Sequence, residues 1–202
     1  MKLLLYCTKA KPYLNCDCGK DNHEEYSKEH FIYLANKQEE CSNIANGKIV
    51  AECDFEVEEL LNCGNAFRIN KYDDQLENYR YTNEVARESC LNFTDLKKYL
   101  GDNNGYAIHI KNLHIFDKPR DITKLVLLNQ YRKDLKGSQY NRVKNAPQNM
   151  CLVDYAIDCN YKEKIFDSPY VLISIQPQWL CKILNGEKTI EVRKKVLKEM
   201  LK

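Results

Sequence analysis

The chain has 202 residues, a formal net charge of +2, 30% charged residues and ten cysteines. That length fits one compact domain, and so small a net charge identifies no partner by itself. No apolar run reaches the roughly 18 residues a spanning helix needs, so a transmembrane protein is excluded as a reading.

In chain order, residues 21–40 read as a highly charged, helix-like stretch. Ile49, Ala51, Cys53, Phe55 and Val57 alternate with Val50, Glu52, Asp54 and Glu56. That period of two predicts a half-buried strand over 49–57. Residues 64–100 are mixed, with a short helix expected over 94–100 and ended by Gly101. A second strand is expected over 105–116, from Tyr106, Ile108, Ile110, Leu113 and Ile115. Residues 127–150 read as a long basic loop. Val171, Ile173 and Ile175 mark another strand. Pro177 then suits the first turn of a helix, and Trp179/Ile183 and Leu180/Leu184 are i,i+4 pairs on its apolar face. Asn185-Gly186 is a helix stop, because glycine reaches the left-handed conformation without steric cost. Thr189, Ile190 and Val192 are strand formers. Val196, Leu197, Met200 and Leu201 suggest a terminal helix packed back on the domain.

The cysteines read as thiols. The apolar run Leu3-Leu4-Leu5 is far too short for a signal peptide, so the chain is expected to be reduced and cytoplasmic. Cys53, Cys151 and Cys181 fall in strand or helix patterns as small core residues. Cys16, Cys18 and His23, with Cys41 or Cys63, are the only candidates for zinc. Their spacing lacks the usual pair, so no metal and no cofactor is expected. His109 and His114, five residues apart, face opposite sides of a regular strand and cannot share an ion without a bulge.

Charge is unevenly distributed. Between 118 and 144 eight basic residues stand against two acidic ones. They include Arg132, Lys133, Lys136, Arg142 and Lys144, with Tyr131 and Tyr140 interleaved. Such a segment suits phosphates and stacked bases, although a solvated loop in a lysine-rich protein has the same appearance. The Lys-, Asn-, Tyr- and Ile-rich composition points to an AT-rich coding source, a bacterium or its phage.

The most specific segment is Gly186-Glu187-Lys188-Thr189-Ile190-Glu191-Val192-Arg193. On a strand, Glu191 and Arg193 share a face with Thr189, and Lys188 at the turn can lean over it. By spacing alone this is a solvated edge strand with surface charges. The octapeptide nevertheless matches the GxKxxExR signature of the ASCH domain at Gly186, Lys188, Glu191 and Arg193. Ile173-Ser174-Ile175-Gln176-Pro177 and Trp179 resemble that family's lead-in. ASCH domains resemble PUA domains, so the resemblance implies an α+β fold: a small PUA-like β-barrel of about six mostly antiparallel strands, with peripheral helices and long insertions near 13–46, 64–100 and 127–150.

In that family the signature opens the domain. Here it comes near residue 202, and the strands that should follow it resemble the N-terminal half. Met1 to Lys9 resembles the next family strand, with Tyr6 and Lys9 at its turn. Asp117-Lys118-Pro119 resembles the turn after a late strand, and Ala146-Pro147-Gln148 is also family-like. The chain is therefore read as one circularly permuted domain, residues 1–202. A swapped dimer and a second, truncated ASCH domain are the alternatives.

The resemblance implies that RNA or a modified nucleoside is bound by Gly186, Lys188, Glu191, Arg193, Lys9 and Tyr6. Lys188 and Arg193 would hold phosphate or carbonyl oxygens, and Glu191 an exocyclic amine. Trp179, Tyr6 or Tyr106 would offer a stacking ring. The hydrolase alternative resembles ASCH amidohydrolases acting on N4-acetylcytidine, which use a Lys, a Thr nucleophile and a Glu. Lys188 matches that set; Glu191 stands where the Thr should be, Thr189 is two residues early and Glu88 is one residue off. Lys188 and Glu191 would then act on water instead, as would suit a ribonuclease too. A protein-interaction or inhibitor module, docking through the insertions, is the third expectation.

Overall fold

A computed structural model of the chain describes residues 1–8, 47–64, 67–69, 83–128, 142–155 and 169–201. It is an α+β protein built on a mixed sheet. The strands are β1 (Lys2–Cys7), β2 (Lys48–Asn62), β3 (Phe67–Ile69), β4 (Gly105–Asp121), β5 (Leu125–Leu127), β6 (Met150–Tyr155), β7 (Tyr170–Ile175) and β8 (Ile190–Arg193). Helices α1 (Phe93–Leu100) and α2 (Pro177–Leu184) accompany them, together with a helical stretch over 83–88 and 3-10 turns at Ile122–Lys124 and Lys198–Leu201. No helix among the described residues is long and apolar enough to cross a membrane.

Hydrogen bonding follows the order β5-β6-β7-β1-β2-β4-β8, with β3 on β2. The expected barrel is not formed. The sheet ends are a three-residue strand, β5, and a four-residue strand, β8, and among the described residues no pairing joins them. Closure needs a continuous, tilted ladder of strands that these short ends do not supply. Nor is the pairing all antiparallel: β1 and β7 run parallel over Lys2↔Tyr170 to Cys7↔Ile175.

The chain divides into two compact units, residues 1–54 with 113–184 and residues 55–112 with 185–202. In the first, β1 lies between parallel β7 and antiparallel β2. Leu3 through Cys7 are each at most 3% exposed, so β1 is covered on both faces, as the unbroken apolar run requires. Leu4, Tyr6, Ile49, Phe116, Leu125, Val153 and Leu172 form the core on one face. Helix α2 buries Leu180, Cys181, Ile183 and Leu184.

The second unit has its own core of Leu60, Phe67, Val85, Leu96, Leu100, Ala107, Ile190 and Val192. Half of these come from 64–100, which the sequence presents as an insertion. Asn92 caps α1, its side chain accepting from the Asp95 N–H at 2.8 Å, and Gly101 ends the helix with φ 66°.

Two further expectations change. β4 does not turn at Asp117-Lys118-Pro119 but stays extended to Asp121. Proline removes one ladder donor without forbidding extended backbone. Between the two histidines Asn112 has φ 50°. His109 lies 2.8 Å from Glu58 and His114 3.8 Å from Glu52, so they meet separate carboxylates. Cys7, Cys53, Cys63, Cys90 and Cys151 are thiols, whereas Cys181 is disulfide-bonded, against the expectation of a wholly reduced chain. Burial pushes the Cys7 and Cys53 thiols up to about 12, which makes them inert core residues.

Candidate functional site

The signature segment folds against a helix end that is remote in sequence. Residues 83–88 are helical. The Cys90 N–H bonds the Arg87 carbonyl and the Leu91 N–H bonds the Ala86 carbonyl, both at 3.0 Å. That is a Schellman closure, with Cys90 at φ 56° in the place glycine usually takes. Leu91 turns back onto the core beside Ala86, as the motif favours. The closure leaves the Ser89 carbonyl without a helical donor, and the Lys188 ammonium supplies one at 2.7 Å. A cation at a helix C-terminus also complements the helix dipole.

Residues 187–189 are fastened to the same helix end. The Thr189 N–H bonds the Glu88 carbonyl at 2.9 Å, and the Thr189 hydroxyl donates to the Glu88 carboxylate at 3.2 Å. The Cys90 thiol points at the Glu187 carbonyl, 3.4 Å away. From there β8 pairs antiparallel with β4, Ile190 opposite His109 and Arg193 opposite Tyr106. Ile190 and Val192 enter the core; Glu191 and Arg193 take the other face, as the alternation requires.

The three charged residues of the signature meet. Glu191 Oε2 lies 3.3 Å from Lys188 Nζ, and Glu191 Oε1 lies 2.9 Å from Arg193 Nε. The Arg193 approach is short but fails hydrogen-bond geometry, so it is an ion contact rather than a directed bond. Side-chain exposures are 2% for Lys188, 11% for Glu191 and 13% for Arg193. This is a buried cation–anion–cation row, not a solvated edge. Burial holds the Lys188 pKa below the ordinary lysine value, and the Glu191 carboxylate partly offsets that.

Beside the row stands Tyr99 of α1, 40% exposed and one of the few large apolar side chains at the surface. The Lys194 ammonium lies 5.3 Å from its ring centre. Burial pushes the Tyr99 hydroxyl up, while the Arg193 charge pulls it down. Lys194 follows Arg193, so its contact with the ring sets Tyr99 toward the Arg193 end of the row. Neither Tyr99 nor Lys194 nor the Ser89 carbonyl was singled out by the sequence. An exposed tyrosine followed by Leu100-Gly101 at a helix end was the one available signal.

The remaining expected site residues do not join them. Gly186, at φ 82°, is exposed at the turn before the row. Tyr6 is 3% exposed and belongs to the core of the other unit, so it is no open stacking platform. Trp179 is half-buried in α2, with the Lys182 ammonium 5.8 Å from its ring. Arg142 bridges Val126 and is exposed, as is Lys144. Lys9, Arg132, Lys133 and Lys136 lie outside the described residues, as do Tyr131, Tyr140, Cys16, Cys18, His23 and Cys41. Among the described residues no group of three or more His, Cys, Asp or Glu is placed to hold a metal ion. No protein-family model, curated protein or solved structure matches the chain.

Proposed function

We propose that the chain is a permuted ASCH-type, PUA-like module that recognises RNA or a modified nucleoside at the Arg193 end of the charged row. One observation carries this reading: a cation–anion–cation row on the signature, largely withdrawn from water, ends beside an exposed tyrosine ring. Apolar residues in such a row are usually neutral or stabilising, so stability alone gives little reason to keep the charges. In this reading Tyr99 stacks on a base and Lys194 meets a phosphate. Arg193, the most exposed of the three, offers its planar fork to a carbonyl or phosphate oxygen. Lys188 is a positioning residue: it ties Glu191 to the helix end and does not touch ligand. The basic residues of 118–144 would add a salt-dependent term.

The test is a titration of the protein with labelled single-stranded RNA, with cytidine and with N4-acetylcytidine, at low and high salt. Tyr99→Ala is expected to weaken binding about tenfold or more, the scale of a lost stacking contact of ~1–3 kcal/mol. Arg193→Gln should do the same with an unchanged circular dichroism spectrum. Wild-type affinity in both variants, or no binding to any of the three ligands, refutes the proposal.

A second reading has its own observation. The Thr189 hydroxyl is exposed and donates to the Glu88 carboxylate, the pairing a hydrolase needs to activate a nucleophile. N4-acetylcytidine deacetylation abolished in both Thr189→Ala and Glu88→Gln would favour it. Turnover that survives Thr189→Ala excludes Thr189 as nucleophile.

A further inference from the structure

The unit formed by residues 1–54 and 113–184 contains a guanidinium that is held in place and that, among the described residues, has no carboxylate counterion. Arg120 follows Pro119 in β4 and is half-buried. Its guanidinium carbon lies 3.5 Å from the centre of the Phe116 ring, and Phe116 is itself 3% exposed. Nη1 donates to the Tyr155 hydroxyl at 2.8 Å. Tyr155 is held in turn by edge-to-face packing on Tyr170, with ring centres 5.5 Å apart. The Phe116 ring beneath it and the Tyr155 hydroxyl together restrict how the guanidinium can turn.

Two acids of this unit are committed elsewhere. Asp121 pairs with Lys48 at 3.0 Å and caps Thr123 at 2.9 Å. Glu52 pairs with Lys2 at 3.2 Å and has His114 at 3.8 Å. Among the described residues none is within ion-pair distance of Arg120. A half-buried arginine ordinarily meets a carboxylate, because its charge is poorly solvated there. Here the phenol takes one N–H, and the in-plane donors that remain form the fork that matches two oxygens of one oxyanion.

We propose that Arg120 anchors an oxyanion-binding site, taking a phosphate or a carboxylate in bidentate fashion, with Phe116 and Tyr155 holding the fork in its binding orientation. Because the side chain is already ordered, binding loses little rotamer freedom, which is how preorganisation raises affinity. The site is independent of the charged row on β8 and of the reading proposed for it.

The experiment is an NMR titration of the full chain at constant ionic strength, replacing chloride with inorganic phosphate in one arm and with acetate in the other. Phosphate stabilises proteins generally by exclusion from their surface, so the readout is a saturable shift of resonances around Arg120, Tyr155 and Tyr170. At least one arm should saturate. Arg120→Gln should abolish the response, and Arg120→Lys, which keeps the charge but loses the fork, should weaken it about tenfold. If Arg120→Gln fails to fold, Tyr155→Phe carries the test, since it keeps the ring and removes only the orienting hydroxyl; weaker saturation is expected. Absence of saturation by either anion in the wild type overturns the proposal. So does an Arg120→Gln response equal to wild type, or, in the fallback, unchanged affinity in Tyr155→Phe.

Discussion

Replacing Glu191 with Gln should be the most damaging conservative change in the signature. It keeps the shape of the side chain and removes the charge between two cations that are 2% and 13% exposed. Breaking a buried ion pair by deleting one partner costs about 3–5 kcal/mol. The loss has a ceiling, because Lys188 can release its proton. Neutralising an ordinary lysine at pH 7 costs roughly 4–5 kcal/mol, at about 1.4 kcal/mol per pH unit. Burial has already lowered the Lys188 pKa, and removing the carboxylate lowers it further. Between the folded and unfolded pKa values of a depressed lysine, the unfolded chain binds more protons, so stability rises with pH there. The Glu191→Gln deficit should therefore be largest near neutral pH and shrink as pH rises toward 10. Lys188→Met removes the cation instead. It leaves the Ser89 carbonyl without its donor, a cost of about 1–3 kcal/mol, and Glu191 keeps Arg193. The double variant should be less damaged than the sum of the two, and less than Glu191→Gln alone at neutral pH. Urea unfolding followed by far-UV circular dichroism measures these differences. The single tryptophan, Trp179, belongs to the other unit and is a poor probe of this one. A Glu191→Gln variant within about 0.5 kcal/mol of wild type at pH 7, or a deficit independent of pH, refutes the reasoning.

Three smaller effects follow from the same geometry. Hydrogen bonds from the Thr123 backbone and from Lys48 hold the Asp121 carboxyl down to about 2, so its contribution is complete above the ordinary carboxylate range and disappears as pH falls through 2. Its side chain is 42% exposed, so after screening Asp121→Asn should cost about 1 kcal/mol or less at neutral pH, with the difference vanishing in acid melts near pH 2. Cys90→Gly should stabilise by about 0.5 kcal/mol: it relieves ~1–2 kcal/mol of left-handed strain at φ 56° and adds ~0.5–1 kcal/mol of backbone entropy cost. Cys90→Ala, which keeps the Cβ, should give no gain, and equal melting temperatures for the two variants would refute the strain. Gly105→Ala should destabilise by about 1–3 kcal/mol, because its Cβ would meet the buried Leu100 methyls at 2.7 and 2.9 Å and the Arg193 carbonyl at 3.3 Å. A thermal melt unchanged from wild type would mean that Leu100 yields freely.

The elements that local pattern determines were legible in the sequence. The alternation from Ile49 marked β2, Pro177 and Asn185-Gly186 bracketed α2, and Gly101 stopped α1 where it was expected. What was not legible depended on partners distant along the chain. The stretch 64–100 looked like an insertion because its apolar residues are spread thinly among charges. Val85, Leu96 and Leu100 become core only once Ile190 and Val192 lie against them. The helix stop at Ser89 was hidden for a different reason: its C′ position is Cys90, not glycine, so the chain paid in strain rather than in a readable residue. Pro119 misled in the opposite direction, suggesting a turn where the backbone merely loses a donor.

Lys188 shows how the same residue can satisfy a motif and still have its role misread. In the sequence it stands at a turn next to glycine, in a chain rich in lysine, and a mobile surface cation is the natural expectation. Among the described residues the structure makes it one of the most buried polar groups, and the cause is remote: a carbonyl left over by a helix closure some hundred residues earlier, at Ser89. That carbonyl fixes the ammonium, the ammonium fixes Glu191, and Glu191 fixes Arg193. Of the signature's charges, Arg193 is the most exposed, at 13%. Recognition by the segment therefore has to work through Arg193 and its neighbour Tyr99, with Lys188 acting at one remove. Losses of ligand affinity in Lys188 variants should accordingly track their losses of stability, whereas Tyr99→Ala should lose more affinity than its loss of stability accounts for.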